Sequence, residues 1–194
     1  MGAPSTTADT ILSCAHTLLM AGGYNGFSYA DISKVVGIRN ASIHHHFPSK
    51  VDLVRTLVVR YREAAIEGLA QLERSVPAPA DQLRAYVGYW QACIADGSAP
   101  FCINALLASQ APVLPEDIVR EVRAHFQVVS SWLAEVLRRG AAAGALTLRD
   151  TPEVEAEILL SAVHGAMLSA RAYGKPETYP LILRPLLDRL TSKG

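Results

Sequence analysis

Proline is the residue an α-helix tolerates least, and its placement constrains this chain more than any other feature. None of the eleven prolines falls between Ser5 and Phe47, between Ser49 and Val76, between Glu116 and Thr151, or between Glu153 and Lys175. Within those gaps apolar residues recur at helical spacing. Ile11, Leu12, Ala15, Leu18 and Leu19 form one face of a helix that stops at Gly22-Gly23. No sustained alternation bounded by a hairpin dipeptide occurs, so no sheet is expected. The chain is read as all-α, with helices near 7–21, 29–36, 40–47, 50–74, 80–96, 101–110, 116–142, 152–173 and 177–191.

Start signals support these boundaries. Ser28 precedes Asp31 by three residues and Ser49 precedes Asp52 by three, each resembling a capping box with Asp in place of Glu or Gln. Thr151-Pro152-Glu153 combines a cap, a first-turn proline and an anion, and Pro115-Glu116-Asp117 does the same for another helix.

Composition excludes several classes. At 194 residues and half apolar, the chain can bury a sizeable core, and three cysteines are too few for a disulfide-stapled mini-domain. No apolar run approaches the ~18 residues that cross a bilayer. The start, Met1 to Asp9, lacks the basic and apolar stretches of a signal peptide, so a soluble cytoplasmic protein without membrane association is expected. Net charge is zero, but unevenly spread. Up to Arg62 there are six Lys/Arg against three acids, with four histidines, while the remainder carries 12 basic and 15 acidic groups. The sign of that asymmetry lets the first third approach phosphate.

Residues 28–47 read as two short helices joined through Val36-Gly37-Ile38. Gly37 ends the first because glycine accepts a left-handed backbone at little cost, Ile38 turns back to the core, and Asn40 can cap the second. This is a helix-turn-helix, whose second helix enters the major groove. On a helical wheel Ile43 and Phe47 define the buried face, Ala41 and His45 point away, Ser42 and His44 flank them, and His46 leans toward the core edge. The outward face holds no acid. Ala41 permits close approach, and Ser42, His44 and His45 can reach base edges or phosphates. Arg39 and Asn40 sit at the helix start, where backbone N–H groups favour phosphate. Lys50 occupies the first turn of the next helix, a poor place for a cation on stability grounds and therefore a candidate phosphate contact. The run His44-His45-His46 does not read as a metal site, since neighbours on a helix diverge by about 100° and paired ligands on one helix usually stand four apart.

The run "GFSYADISKVVGIRNASIHHHFPSKVDL" resembles the DNA-binding domain of TetR-family (AcrR-like) transcriptional regulators, over about residues 9 to 60, including the Gly37 turn and Phe47-Pro48-Ser49-Lys50. In that family the recognition helix usually carries a tyrosine where this chain has His44. The resemblance implies a DNA-binding domain over 1–50, with Ser28 among its contacts, joined to a helical effector-binding and dimerisation domain over 51–194.

From Val51 onward the sequence is chemically quiet. It holds no Gly-x-Ser-x-Gly elbow, phosphate-cradling glycine loop or HExxH pair, so no catalytic residue, cofactor or metal is expected. Candidate effector-binding residues are the large side chains of the middle helices, Tyr86, Trp90, Phe101, His125, Phe126, Trp132, His164 and Met167, suited to a small, mostly apolar molecule. Cys102, expected in the first turn of a helix where the dipole favours thiolate, is a candidate ligand or sensor residue, with Cys93 as a second thiol. "PFCINALLASQ" after "ADGSA" resembles a segment of one TetR-like subgroup in which a cysteine sits at this helix start. Ala156, Ser161, Ala162, Gly165, Ala166, Ser169 and Ala170 give the penultimate helix a face that another helix can approach closely. In the resembled family the last two helices pair with those of a second subunit.

The combined expectation is a ligand-responsive regulator, a repressor, bound as a homodimer to a palindromic double-stranded DNA operator. A small, mostly apolar effector, or modification of a thiol, would release it. The competing reading is an all-α small-molecule or lipid carrier without DNA binding.

Overall fold

The computed structural model describes residues 6–97 and 101–191, so Met1–Ser5, part of the signal-peptide reading, and Ser98–Pro100, part of the cysteine-helix resemblance, lie outside it. The described residues form helices and no strand, as the proline spacing requires. The helices are α1 (Thr7–Gly22), α2 (Tyr29–Val36), α3 (Asn40–His46), α4 (Lys50–Ser75), α5 (Pro79–Asp96), α6 (Ile103–Ser109), α7 (Glu116–Ala142), α8 (Pro152–Tyr173) and α9 (Thr178–Thr191). Short 3₁₀ turns, which carry no hydrophobic period, follow α1 at Tyr24–Gly26 and α6 at Ala111–Val113.

Caps account for most boundaries. Both expected boxes form: the Ser28 hydroxyl donates to Asp31 at 2.7 Å, and that of Ser49 to Asp52 at 2.7 Å. A third box, Thr6 with Asp9, starts α1. The Thr151 hydroxyl accepts from the Val154 N–H, with Pro152 at the first helical position. Two expectations need correction. Asn40 makes no cap; Arg39, with extended backbone, is the cap residue of α3, its carbonyl accepting from the N–H of Ser42 at 2.9 Å. Cys102 precedes α6 rather than lying in its first turn, because the helix begins at Ile103.

The chain divides into two compact units, Met1–Glu63 with Ile103–His125, and Ala64–Cys102 with Phe126–Gly194. In the first, α1, α2 and α3 pack around Ile11, Leu19, Ile32 and Ile43, each fully buried. Gly23 closes α1 at φ 72°, where its N–H donates to the Leu19 carbonyl at 2.7 Å. A Cβ there would fall 2.1 Å from the Gln110 amide nitrogen, so a larger residue would displace that side chain. That amide's oxygen accepts from the Tyr24 N–H at 2.9 Å, which fixes α6 to the end of α1.

In the second unit α8 packs on α9, and α5 also meets α9. Glu155, buried on α8, accepts two bonds from the Arg189 guanidinium of α9, at 3.1 and 2.7 Å, and one from the Arg149 N–H at 2.9 Å. The small residues of α8 serve two faces. Ala156, Ala166 and Ala170 are buried within the unit, whereas Ser161 and Gly165 are exposed. Among the described residues no helix is long and apolar enough to cross a membrane.

Candidate nucleic-acid interface

The turn between α2 and α3 is built by three local features. Gly37 adopts φ 76°, ψ 27°, and its N–H donates to the Ser33 carbonyl at 2.9 Å. The Ser33 hydroxyl closes the turn by donating to the Ile38 carbonyl, and Ile38 is half-buried. The far end of α3 is fixed by a residue that sequence reasoning missed. Tyr29 of α2 donates its hydroxyl to the Phe47 carbonyl at 2.8 Å, while its ring lies 4.7 Å from the His44 imidazole.

With Ile43 and Phe47 buried, α3 turns Ala41, His44, His45 and His46 to solvent, and Ser42 is half-exposed. His46 is thus more open than its wheel position implies, its ring meeting that of His45 edge-on at 5.4 Å. His44 Nδ1 lies 3.1 Å from the Pro48 carbonyl oxygen. Arg39 and Asn40 are exposed at the start of α3, and Ser28 is exposed at the start of α2 with its hydroxyl engaged by Asp31. Six of the eight expected DNA contacts therefore lie on or at the start of α3, and Ser28 and Lys50 lie off it, at the starts of α2 and α4.

Lys50 is half-buried. Its ammonium donates to the Phe27 carbonyl and lies over the rings of Tyr24 at 4.8 Å and Phe27 at 4.2 Å. Removal from water pulls its pKa below the usual lysine value, with the Asp31 carboxylate opposing that shift. An ammonium has three N–H bonds, and the carbonyl takes one, so the others remain for an anion. The aromatic pair had no sequence signal, because Tyr24 and Phe27 meet Lys50 only through the fold.

The expected effector-binding residues fall in both units. His125 belongs to the first unit, where its ring lies 5.6 Å from Tyr61. The others belong to the second. There Tyr86 and Trp132 are 5.7 Å apart, Phe126 and His164 5.1 Å apart, and Cys102 and Met167 are fully buried. Trp90 is buried, and Phe101 is half-buried beneath the Arg171 guanidinium at 5.6 Å. Burial holds His164 at about 4, uncharged at neutral pH, and raises the Tyr86 phenol above the usual tyrosine value. Tyr179 of α9, which carries no apolar-stripe signal of its own, is fully buried in the same unit.

Comparison with known proteins agrees with this geometry. The pattern of bacterial regulatory proteins of the tetR family matches residues 11–57, which hold most of α1, all of α2 and α3, and the start of α4. A TetR-family transcriptional regulator from Agrobacterium tumefaciens is 61% identical, with 95% of this chain and 97% of that one covered and a TM-score of 0.93. A TetR transcriptional regulator from Legionella pneumophila is 25% identical over 98% of this chain and all of its own length, with a TM-score of 0.87. The HTH-type transcriptional regulator CymR of Pseudomonas putida is 27% identical over 137 residues, 69% of this chain and 67% of CymR. On the strength of the 61% identity along nearly the whole chain, together with a helix-turn-helix whose second helix is open to solvent, this protein belongs to the TetR family of transcriptional regulators.

Proposed function

We propose that the protein is an effector-responsive repressor that acts in the cytoplasm as a homodimer on a roughly palindromic operator. DNA binding is assigned to residues 1–50, and effector binding and dimerisation to 51–194. The observation that carries the reading is the outer face of α3, where Ala41, His44 and His45 stand exposed and free of acids beside a turn closed by Gly37. Ser42, His44 and His45 read base edges; Ser28, Arg39, Asn40 and Lys50 hold phosphates. Two recognition helices entering successive major grooves must stand about 34–36 Å apart.

Dimerisation is supported by a second feature. Val154, Ile158, Ser161, Gly165 and Leu168 recur along α8 at alternating four- and three-residue steps and are all exposed, with Leu181 and Ile182 of α9 exposed as well. A stripe of this kind is costly to leave in water and suits a second copy of the same helices. Replacing Ile158 and Leu168 together by aspartate tests it. The expected result is a monomer by sedimentation with lost operator binding, and a dimer that still binds contradicts the assignment.

The response to effector passes through helices shared by both units. α4 and α7 each begin in the first and end in the second. Arg62 of α4 pairs with Glu121 of α7 at 2.5 Å in the first unit, and Glu73 of α4 with Arg139 of α7 at 2.9 Å in the second. An effector that favours one arrangement of these helices shifts operator affinity only by its preference between the two states, typically 1–3 kcal/mol. Thiol modification is the alternative trigger, and its residue is Cys102. A Cys102→Ser variant that still releases DNA on alkylation removes that route.

A further inference from the structure

Two buried polar groups of uncharged side chains in the second unit make no hydrogen bond among the described residues. The Tyr179 side chain is fully buried, and its hydroxyl has no partner among the described residues. The indole N–H of Trp132 is buried and without an acceptor among them. Buried donors are almost always satisfied, so an idle pair in one neighbourhood requires an explanation. Tyr86 joins them: its ring stacks obliquely on Trp132 at 5.7 Å, and its phenol is close enough to Tyr179 to help raise that group above the usual tyrosine range. The three residues come from α9, α7 and α5. Trp132 is only partly covered, so the cluster is not sealed from solvent.

The cluster also lacks charge. Burial keeps both phenols protonated at physiological pH. Two charged pairs of this unit are matched within it, Glu155 with Arg189 and Glu73 with Arg139. A carboxylate entering here would shed its hydration against protonated phenols and a neutral indole.

We infer that the effector is an uncharged, largely apolar molecule bearing a hydrogen-bond acceptor such as a carbonyl, which accepts from the Tyr179 hydroxyl and the Trp132 indole N–H against the ring of Tyr86. This rests on the effector site proposed above and names its ligand chemistry. An acceptor satisfies both idle donors at once, whereas a hydrocarbon leaves them unpaired and a carboxylate adds a buried charge.

The test is calorimetric titration of the full-length protein with matched probes: acetophenone, benzoate and ethylbenzene; 2-acetylnaphthalene, 2-naphthoate and 2-ethylnaphthalene; 2-nonanone and nonanoate. At least one ketone should bind, on the order of 100-fold tighter than its carboxylate. Tyr179→Phe or Trp132→Phe, each keeping the ring, should weaken ketone binding about 10-fold and leave the hydrocarbon unchanged. Circular dichroism confirms that each variant is folded, and either one alone suffices. Carboxylates binding as well as ketones, no ketone binding, or equal losses for ketone and hydrocarbon would each overturn the inference. A ketone that binds with this donor dependence but releases no DNA in a gel shift leaves the ligand chemistry standing and sinks the effector role instead.

Discussion

His44 Nδ1 stands 3.1 Å from the carbonyl oxygen of Pro48, and a carbonyl only accepts, so Nδ1 carries the hydrogen. In the tautomer with that hydrogen on Nδ1, Nε2 carries a lone pair that can accept. Such a group matches the amino edge of adenine or cytosine in the major groove. Replacing His44 by phenylalanine keeps the ring against Tyr29 and removes the acceptor. Discrimination between operator and random DNA should fall about 10-fold, equivalent to about 1–2 kcal/mol, with unchanged thermal stability. Ser42→Ala and His45→Ala should act in the same direction. Competition binding against random duplex measures all three, and unchanged discrimination removes the residue from base reading.

Lys50 serves the fold and, in the proposed complex, the phosphate backbone. Lys50→Ala should lower stability by about 0.5–2 kcal/mol through loss of the Tyr24 and Phe27 contacts. It should also weaken binding to operator and random DNA alike and reduce the slope of log K against log salt by about 1. A normal salt slope in a folded variant would leave Lys50 with the structural role alone.

The Glu155–Arg189 pair ties α8 to α9 from a buried position. Hydrogen bonding to Arg189 holds the Glu155 carboxyl below its ordinary value. A carboxylate with a depressed folded pKa stabilises above its unfolded pKa and loses that contribution as pH falls through the folded one. Glu155→Gln should therefore cost about 3 kcal/mol at pH 7, and the gap to the parent protein should narrow below about pH 4. Chemical denaturation at pH 7 and pH 3.5 measures both.

His164 makes stability fall in the same direction, but over a higher pH range. Burial alone depresses it to about 4, so the unfolded chain takes up a proton there before the folded one does. Stability should decline as pH falls from about 6.5 toward 4, by about 1–2 kcal/mol at pH 5. His164→Phe keeps the contact with Phe126 and should remove that part of the slope. An identical slope in the variant would place the acid sensitivity elsewhere.

Much of this was legible in the sequence for local reasons. Prolines, glycines and Ser/Thr–Asp boxes act within a few residues, so α2 matched expectation at both ends, as did α7 and α8. α6 began two residues late, and Asn40 lost the cap to an extended Arg39. Contacts made by distant segments left no local trace. The hydroxyl of Tyr29 on the Phe47 carbonyl, the ammonium of Lys50 over two rings, and the stranded phenol of Tyr179 all depend on how helices meet. The small residues of α8 were visible, but their division between an inner and an outer face required the packing of α9.

The central claim is tested most directly by titrating the protein against the DNA upstream of its own gene and against a scrambled duplex, at about 50 and 200 mM salt. A repressor reading through α3 predicts specific binding at least about 1,000-fold tighter than to the scrambled duplex, with affinity for both falling steeply as salt rises. Equal, weak binding to both duplexes at either salt would contradict it.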